Sequence, residues 1–436
     1  MNNNPLNPTP KDKFLKNKFL NLKTIFPILT LIAGVLLIFK AHSSFSFLFL
    51  MGSLLGSMIV RVPTKQLTFL FVFTLLVALP MAGFKNSFLL ELATQAGIYA
   101  ALALGLNIVV GMAGLLDLGF SAFFAIGAYT WAIVGSTQGA EFLPGIYPLS
   151  GGYFYLFMIV AVFTAALLGV IVGLPALRLR GDYLAIVTLG LGEVVRVLAN
   201  NLDHPINITN GPKGITPIQR PPVEFLSNIL QFLGLKSDNA MTYSLFFYLL
   251  VLLLIVIIIV FNLRLGKSRF GRAWNAIRDN ELAARAMGVN LLKTKLLAFA
   301  TGAAFSGVMG AVYAAKQTFV SPESFTLLQS ITILSMVILG GMGNVAGAVL
   351  GACIVTVLNI DVLKSMSEFL GQLRQSGQTF DFWFFSLNPA NIPEQLEPAK
   401  YERMVFGIIL ILMMIFRPEG LLPPKRKEEK PNASGT

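Results

Sequence analysis

Few residues in this 436-residue chain are arranged to do chemistry. Its two histidines, His42 and His204, lie far apart in short loops between apolar runs, and no cluster with metal-ligand spacing accompanies them. The sole cysteine, Cys353, stands inside an apolar run, which excludes an internal disulfide and reads as a core thiol. Gly266–Lys267–Ser268 looks like the end of a phosphate loop, but that motif requires a glycine five residues before Gly266, where Phe261 stands. The chain is therefore read as a non-enzyme, with no catalytic residue, no metal and no cofactor site of its own. The remaining candidates are ionisable groups in or beside apolar segments, where charge is costly and hence informative. Glu193 and Arg196 are three apart on one helical face and read either as a mutually neutralising pair or as substrate contacts. Asp117 follows the Gly111–Gly114 turn and reads either as an N-cap for the next helix or as a functional acid. Glu91 is expected to reach the interface at a span end. No series of buried acids forms a proton relay, which argues against a proton-driven carrier.

The elements that position these residues follow from composition. Hydrophobic residues make up 55% of the chain and charged ones 12%, about half the share needed to coat a soluble domain. Runs long enough for a bilayer core of roughly 30 Å recur along it. Spans are expected near 25–40, 46–60, 66–84, 88–111, 114–136, 153–176, 183–199, 243–262, 295–315, 327–342, 345–360 and 402–416. This predicts an all-α polytopic bundle of about ten to twelve transmembrane helices. The net charge of +12 is carried between the spans, where it reads as a topology signal rather than a nucleic-acid patch. Arg61, Lys65, Arg178, Arg180, the basic loop 263–294 and Lys425–Lys427 all fall on one side if both termini are cytoplasmic. The basic start followed by the apolar run Ile25–Phe39 reads as a retained first helix.

Glycine supplies the expected packing surfaces. Gly343, Gly347 and Gly351 recur every four residues, as do Gly169 and Gly173, and such stripes let helix backbones approach in lipid. Gly111–Gly114 and Gly340–Gly343 are faintly alike, as a weak internal repeat would be.

The loop 263–294 carries its own helix signals. Asp279 is expected to cap a short helix over about 280–287, with Glu281 in its first turn and Gly288 at its C′ position. Leu282, Ala283, Ala286 and Met287 form one apolar face, with Arg285 toward the C-terminal end. A helix this short needs a surface to dock on. Its own helix ends or lipid headgroups would serve, and so would the groove of a partner protein.

Seven stretches resemble, in order, the LivM-type permeases of branched-chain amino acid ATP-binding-cassette importers. They are GLNIVVGMAGLLDLGFSAFFAIGAYTWAIVG (105–135), LRLRGDYLAIVTLGLGEVVR (177–196), NGPKGI (210–215), GRAWNAIRDNELAARAMGV (271–289), FVSPESF (319–325), VILGGMGN (337–344) and RPEGLLP (417–423). The resemblance covers about 87–423 and implies an importer permease domain there, with 263–294 as its cytoplasmic coupling loop. Residues 1–24 would then be a basic cytoplasmic tail, 25–86 extra transmembrane helices, and 424–436 a polar cytoplasmic tail. The segment 361–400 is longer than the turn that such permeases need before the last helix. The resemblance further implies a multi-pass subunit of the bacterial inner membrane, surrounded by lipid. It would assemble with a second permease of the LivH type, two cytoplasmic ATPase subunits that use the ATP, and a periplasmic or extracellular binding protein that delivers Leu, Ile or Val. Arg278, Glu281, Ala283, Ala284, Arg285 and Gly288 would carry the ATPase coupling. Asp117, Gly119, Tyr129, Tyr183, Glu193 and Arg196 are candidate pathway or structural residues, with pathway linings expected over Gly119–Tyr129 and Tyr183–Gly192. The competing readings are a permease of a related urea or amide importer, and a self-contained secondary carrier.

Overall fold

Lipid offers no hydrogen bonds, so each crossing must satisfy its own backbone and each break must find a protein partner. The computed structural model describes residues 10–39, 49–50, 52–54, 56–57, 62–176, 182–232, 234, 238–376, 380–382, 385–387, 401–417 and 419–422. The expected span 46–60 is only partly among these, and His42, Arg61, Arg178, Arg180 and the 424–436 tail lie outside them.

In chain order, α1 is Pro10–Phe39. The second helix, α2, runs through Thr64–Phe73, a π turn at Thr74–Ala78, and Leu79–Gly83. Next comes α3 (Ser87–Leu106), which winds into a π turn at Asn107–Met112. It is followed by α4 (Ser121–Val134), α5 (Phe154–Ala176), α6 (Asp182–Asn201) and α7 (Glu224–Phe232). The long α8 (Asn239–Lys267) leads to two short helices, α9 (Arg269–Asp279) and α10 (Glu281–Ala286). The remainder are α11 (Leu291–Gln317), α12 (Leu327–Gly340), α13 (Val345–Val357), α14 (Leu363–Ser376) and α15 (Glu402–Phe416). Among the described residues, eight helical stretches are long and apolar enough to cross a membrane, and Ile25–Phe39 and Ser121–Val134 are shorter apolar helices. This is the polytopic helical bundle expected. Two departures stand out. The span expected at 114–136 begins only at Ser121, because residues 113–120 are not helical. Within 361–400, α14 is followed by a two-stranded antiparallel hairpin, Phe380–Phe382 with Phe385–Leu387, in an otherwise helical chain.

The body is organised around α11, and small residues set how closely its neighbours approach. Along α5, Ala161, Ala165, Gly169 and Gly173 form a buried stripe at four-residue spacing. The opposite face carries Leu156, Ile159, Phe163, Leu167, Ile171 and Leu174, all exposed as a lipid-facing side chain should be. A Cβ on Gly307 of α11 would lie 2.4 Å from the Ala161 carbonyl oxygen, and one on Gly127 of α4 would lie 2.1 Å from that of Gly307. Further along the bundle, Gly347 and Gly351 press α13 against α12 in the same way, whereas Gly343 belongs to the turn between them.

The N-terminal helices form a second, smaller core against the edge of this body. Leu37, Leu50, Leu70 and Leu79 pack there with Leu90, Leu245 and Tyr248. A π turn disturbs the regular backbone ladder, and the Tyr248 hydroxyl donates to the Leu75 carbonyl at 2.6 Å, pinning α2 to α8.

A Cβ on Gly307 would meet both the Ala161 carbonyl and the Ala165 Cβ of α5 at 2.4 Å, so Gly307→Ile is expected to cost about 3 kcal/mol, the upper end for overpacking. Thermal unfolding in mild detergent checks this. Gly190→Leu, with nothing within 4 Å of the added carbon, is expected to leave the melting temperature unchanged.

Candidate functional site

At one end of the bundle the chain reverses between α8 and α9. Ser268 donates to the Leu265 carbonyl at 2.7 Å and accepts from the Gly271 N–H at 3.3 Å, capping α9. Gly266–Lys267–Ser268 is thus a helix end and the next helix's cap, not a phosphate cradle. Along α9, Gly271, Trp274 and Ile277 are buried at three-residue spacing. The Trp274 indole N–H donates to the Thr294 carbonyl at 2.8 Å, which fastens α9 to the start of α11.

The short helix α10 departs from expectation at its start and agrees at its end. Asp279 closes α9 and does not cap. The cap is Asn280, whose Oδ1 accepts from Leu282 and Ala283 N–H groups at 3.0 Å each. Only Asn280 has the extended backbone that a cap requires here, at φ −159° and ψ 109°. At the other end Gly288 adopts φ +83°, and Val289 N–H to Ala284 O and Gly288 N–H to Arg285 O complete a Schellman closure. Ala284 is buried against the body, and Glu281 pairs at 2.9 Å with Lys295, whose side chain is only 4% exposed. The back of α10 is therefore anchored. Its front is not: Leu282 is 66% exposed and Met287 85% exposed, with Ala283, Arg285 and Ala286 also open. The apolar face read from the sequence exists, and it points away from the chain's own helix ends.

The last turn of α9 reaches into the bundle. The Arg278 guanidinium donates through Nη1 to the Gly111 carbonyl, in the π turn that ends α3. Its aliphatic stem lies over Gly114, at φ +70°, where a Cβ would stand 3.0 Å from Arg278 Cγ. Asn107 Oδ1 accepts from the Gly343 N–H at 2.8 Å, so the turn at Gly111–Gly114 meets the turn at Gly340–Gly343 directly. On the far side of that second turn, Leu421 and Leu422 N–H groups donate to the Leu339 and Gly340 carbonyls, each at 3.0 Å. Asn344 Nδ2 donates to the Leu422 carbonyl at 2.9 Å. Four separate stretches of sequence, with Arg278 among them, thus form one junction where two transmembrane segments are broken.

From this junction residues 113–120 run inward to α4 without helical hydrogen bonding. Asp117 is 1% exposed; its Oδ1 accepts from the Gly119 N–H at 2.9 Å, and its Oδ2 has no hydrogen-bond partner among the described residues. It does not cap α4, which begins at Ser121 after Phe120. Instead Thr188 Oγ1 accepts from Leu118 N–H, and Ser330 Oγ accepts from Ser121 N–H, so side chains of α6 and α12 replace the missing backbone partners. Gly119 packs on α6: a Cβ there would lie 2.1 Å from the Thr188 carbonyl oxygen. Tyr129 is buried beside Phe325, its hydroxyl without a partner among the described residues, and Tyr183 is 71% exposed.

At the opposite end, Arg196 pairs with Glu193 at 2.8 Å, as the spacing implied, and also with Glu323 at 3.0 Å in the turn before α12. Close by, Ile215 and Val320 form an isolated antiparallel bridge, and Asn210, at φ 57°, donates from Nδ2 to the Gly214 carbonyl. Glu91 pairs with Lys316 at 3.4 Å. Among the described residues, no group of His, Cys, Asp and Glu could hold a metal. Lys295, Asn107, Thr188 and Glu323 were not singled out from the sequence. None of them forms a local pattern that points to its partner, which lies far away in sequence or, for Lys295, in the preceding short helix.

A family model described as branched-chain amino acid transport system / permease component matches residues 88–414. The high-affinity branched-chain amino acid transport system permease protein LivM of Salmonella typhimurium is 37% identical, over 84% of this chain and 77% of its own length. LivM of Escherichia coli K12 is likewise 37% identical, over 78% and 71%. The probable branched-chain amino acid transport permease protein LivM of Methanocaldococcus jannaschii is 26% identical, over 76% and 91%. No solved structure matches.

Removing the carboxylate of Glu281 strands a nearly buried ammonium, whereas removing both groups does not. Glu281→Ala is expected to destabilise more than Glu281→Ala with Lys295→Met. A double-mutant cycle on detergent unfolding should return a coupling of about 1–2 kcal/mol, and additivity would mean that the pair contributes nothing.

Proposed function

The chain belongs to the permease-component family of branched-chain amino acid transport systems, and from that membership we infer that it is a transmembrane permease subunit of an ATP-driven importer for leucine, isoleucine and valine. Energy comes from elsewhere: two cytoplasmic ATPase subunits use the ATP, and this chain carries neither a nucleotide site nor a cofactor. A second permease subunit of the LivH type completes the pathway, and a periplasmic or extracellular binding protein delivers the amino acid. Both termini and the loop 263–294 face the cytoplasm, following the distribution of basic residues.

The observation that carries this reading is α10 itself. A six-residue helix is unstable alone, yet this one is capped at both ends and fixed on its back, while Leu282 and Met287 stand in solvent. Such a rigid knob with an apolar tip suits insertion into a groove on an ATPase subunit. Arg285 and Ala283 lie on the same exposed side and would edge that contact. Closure of the ATPases on ATP pushes the knob; α9 moves with it, and Arg278 passes the displacement to the broken ends of α3 and α12. The bundle then exchanges between outward- and inward-open states. Arg196 with Glu193 and Glu323 closes the opposite end, where the binding protein docks. Asp117 and Gly119 hold the irregular stretch that lines or supports the path.

Replacing a buried interface anchor by a charge typically costs about 2 kcal/mol or more, roughly thirtyfold in affinity. Leu282→Asp and Met287→Asp are therefore expected to release the ATPase subunits during co-purification and to abolish leucine uptake in cells. Glu281→Lys and Gly288→Leu, which disturb the anchoring of the same element, should also abolish uptake. Retained ATPase binding with full uptake in all four variants would refute the coupling role.

A further inference from the structure

Between the N-terminal helices and the permease body lies a cavity of about 940 Å³. One wall is α8, from Tyr248 to Lys267, which at 1.5 Å per residue spans about 28 Å, nearly the depth of the hydrocarbon core. Small residues of α3, Ala96, Gly97 and Ala100, make the floor, and Phe71 and Leu75 of α2 face them across the gap. Val349 and Cys353 of α13 close the third side. Val256 and Leu263 line it while 52% and 49% exposed, so the cavity is open along its flank to the surrounding lipid.

The chemistry of the walls is one-ended. From Leu249 to Ile259 the side chains of α8 are apolar; the hydroxyls of Thr74 and Tyr248 are the polar groups toward its start, and the charged groups stand only at the end that carries α9, where Lys267 and Arg278 lie with Asn262, Asn275 and Asn344. Two of those are cations, and no carboxylate is among the described residues that line the cavity. Lys267 is exposed there and has no carboxylate within salt-bridge distance among the described residues. Asn262, fully buried about 7 Å deeper on the helix, carries a carbonyl oxygen with no hydrogen-bond partner among the described residues. A zwitterionic amino acid suits this arrangement poorly, because two cations face its carboxylate while no carboxylate among the described lining residues would balance its ammonium group. A long apolar slot ending in two cations suits an amphiphile with a negative head.

We propose that this cavity is a binding site for an anionic glycerophospholipid, whose acyl chains fill the slot between the N-terminal helices and the body and whose phosphate sits at Lys267 and Arg278. The site is independent of the transported substrate. It gives the helices before residue 87 a role beyond anchorage: they complete a lipid pocket whose charged end adjoins the junction at Gly111 and Gly343.

The test uses the assembled transporter in nanodiscs containing a phospholipid with a photoreactive diazirine in one acyl chain, bearing either a phosphatidylglycerol or a phosphatidylcholine head. Cross-links are mapped by mass spectrometry. The phosphatidylglycerol probe is expected to label the α8 and α13 walls about fivefold more than the phosphatidylcholine probe, the worth of one basic residue near an anionic group. Lys267→Gln should remove that preference, and Ile259→Trp, which fills the slot, should remove the labelling by both probes. Labelling of the exposed α5 face at Phe163 and Leu167 should be the same for both heads and in all variants. Equal labelling of the cavity by the two probes, or labelling there no greater than on α5, would overturn the proposal. So would the absence of lipid adducts because a partner subunit covers the cavity.

Discussion

A carbonyl or amide left unpaired in lipid costs several kcal/mol, and this constraint governs the whole molecule. The fold breaks helical regularity at 107–120 and again at 341–344, well inside the bundle. Neither break would persist without substitutes for the lost backbone bonds. The substitutes come from far away in sequence: Arg278 for the Gly111 carbonyl, Asn107 for the Gly343 amide, and Thr188 and Ser330 for the amides of Leu118 and Ser121. Residues 420–422 press against the second break and bond to its end. The breaks are consequently shared property of several helices. Moving one requires moving its partners.

That sharing ties the outer loop to the interior. Trp274 fixes α9 to α11 and Arg278 fixes it to α3, so the pair α9–α10 is tied to the bundle at two points. Its exposed tip carries apolar side chains that water disfavours, which gives a partner something to hold. At the other end of the bundle the Arg196 cluster spans α6 and the turn before α12, the helix whose far end is the second break. One helix thus connects an ion-pair cluster at one surface with the junction at the other. Small residues keep the intervening helices in backbone contact, so displacements are passed on by packing that has little room to absorb them.

Much of this was legible in the sequence because lipid simplifies the code. Apolar length marks the helices, the four-residue spacing of Gly169 and Gly173 marks a packing face that the structure extends to Ala161 and Ala165, and Gly288 marks the end of α10. The i,i+3 spacing of Glu193 and Arg196 gave their ion pair, but Glu323 lies 127 residues beyond Arg196 and no local pattern connects them. The cap of α10 was misassigned by one residue because Asp279 and Asn280 are both good capping types, and only the backbone angles decide between them. An acid after glycines suits a cap, which is one of the two readings open for Asp117. Nothing local announces that α4 starts four residues later, since that depends on acceptors supplied by α6 and α12. The likeness between the Gly111–Gly114 and Gly340–Gly343 turns was visible, but not that the two turns touch.

The central claim is that Arg278 transmits the movement of α9–α10 to the broken helices. Arg278→Lys keeps the charge and loses the planar fork that reaches the Gly111 carbonyl. Its most direct test is the amount of leucine taken up per ATP hydrolysed by the complete transporter in proteoliposomes. The account predicts that assembly and ATP hydrolysis persist while uptake per ATP falls by about tenfold, within the usual range of coupling energies. An unchanged ratio of uptake to hydrolysis would contradict it.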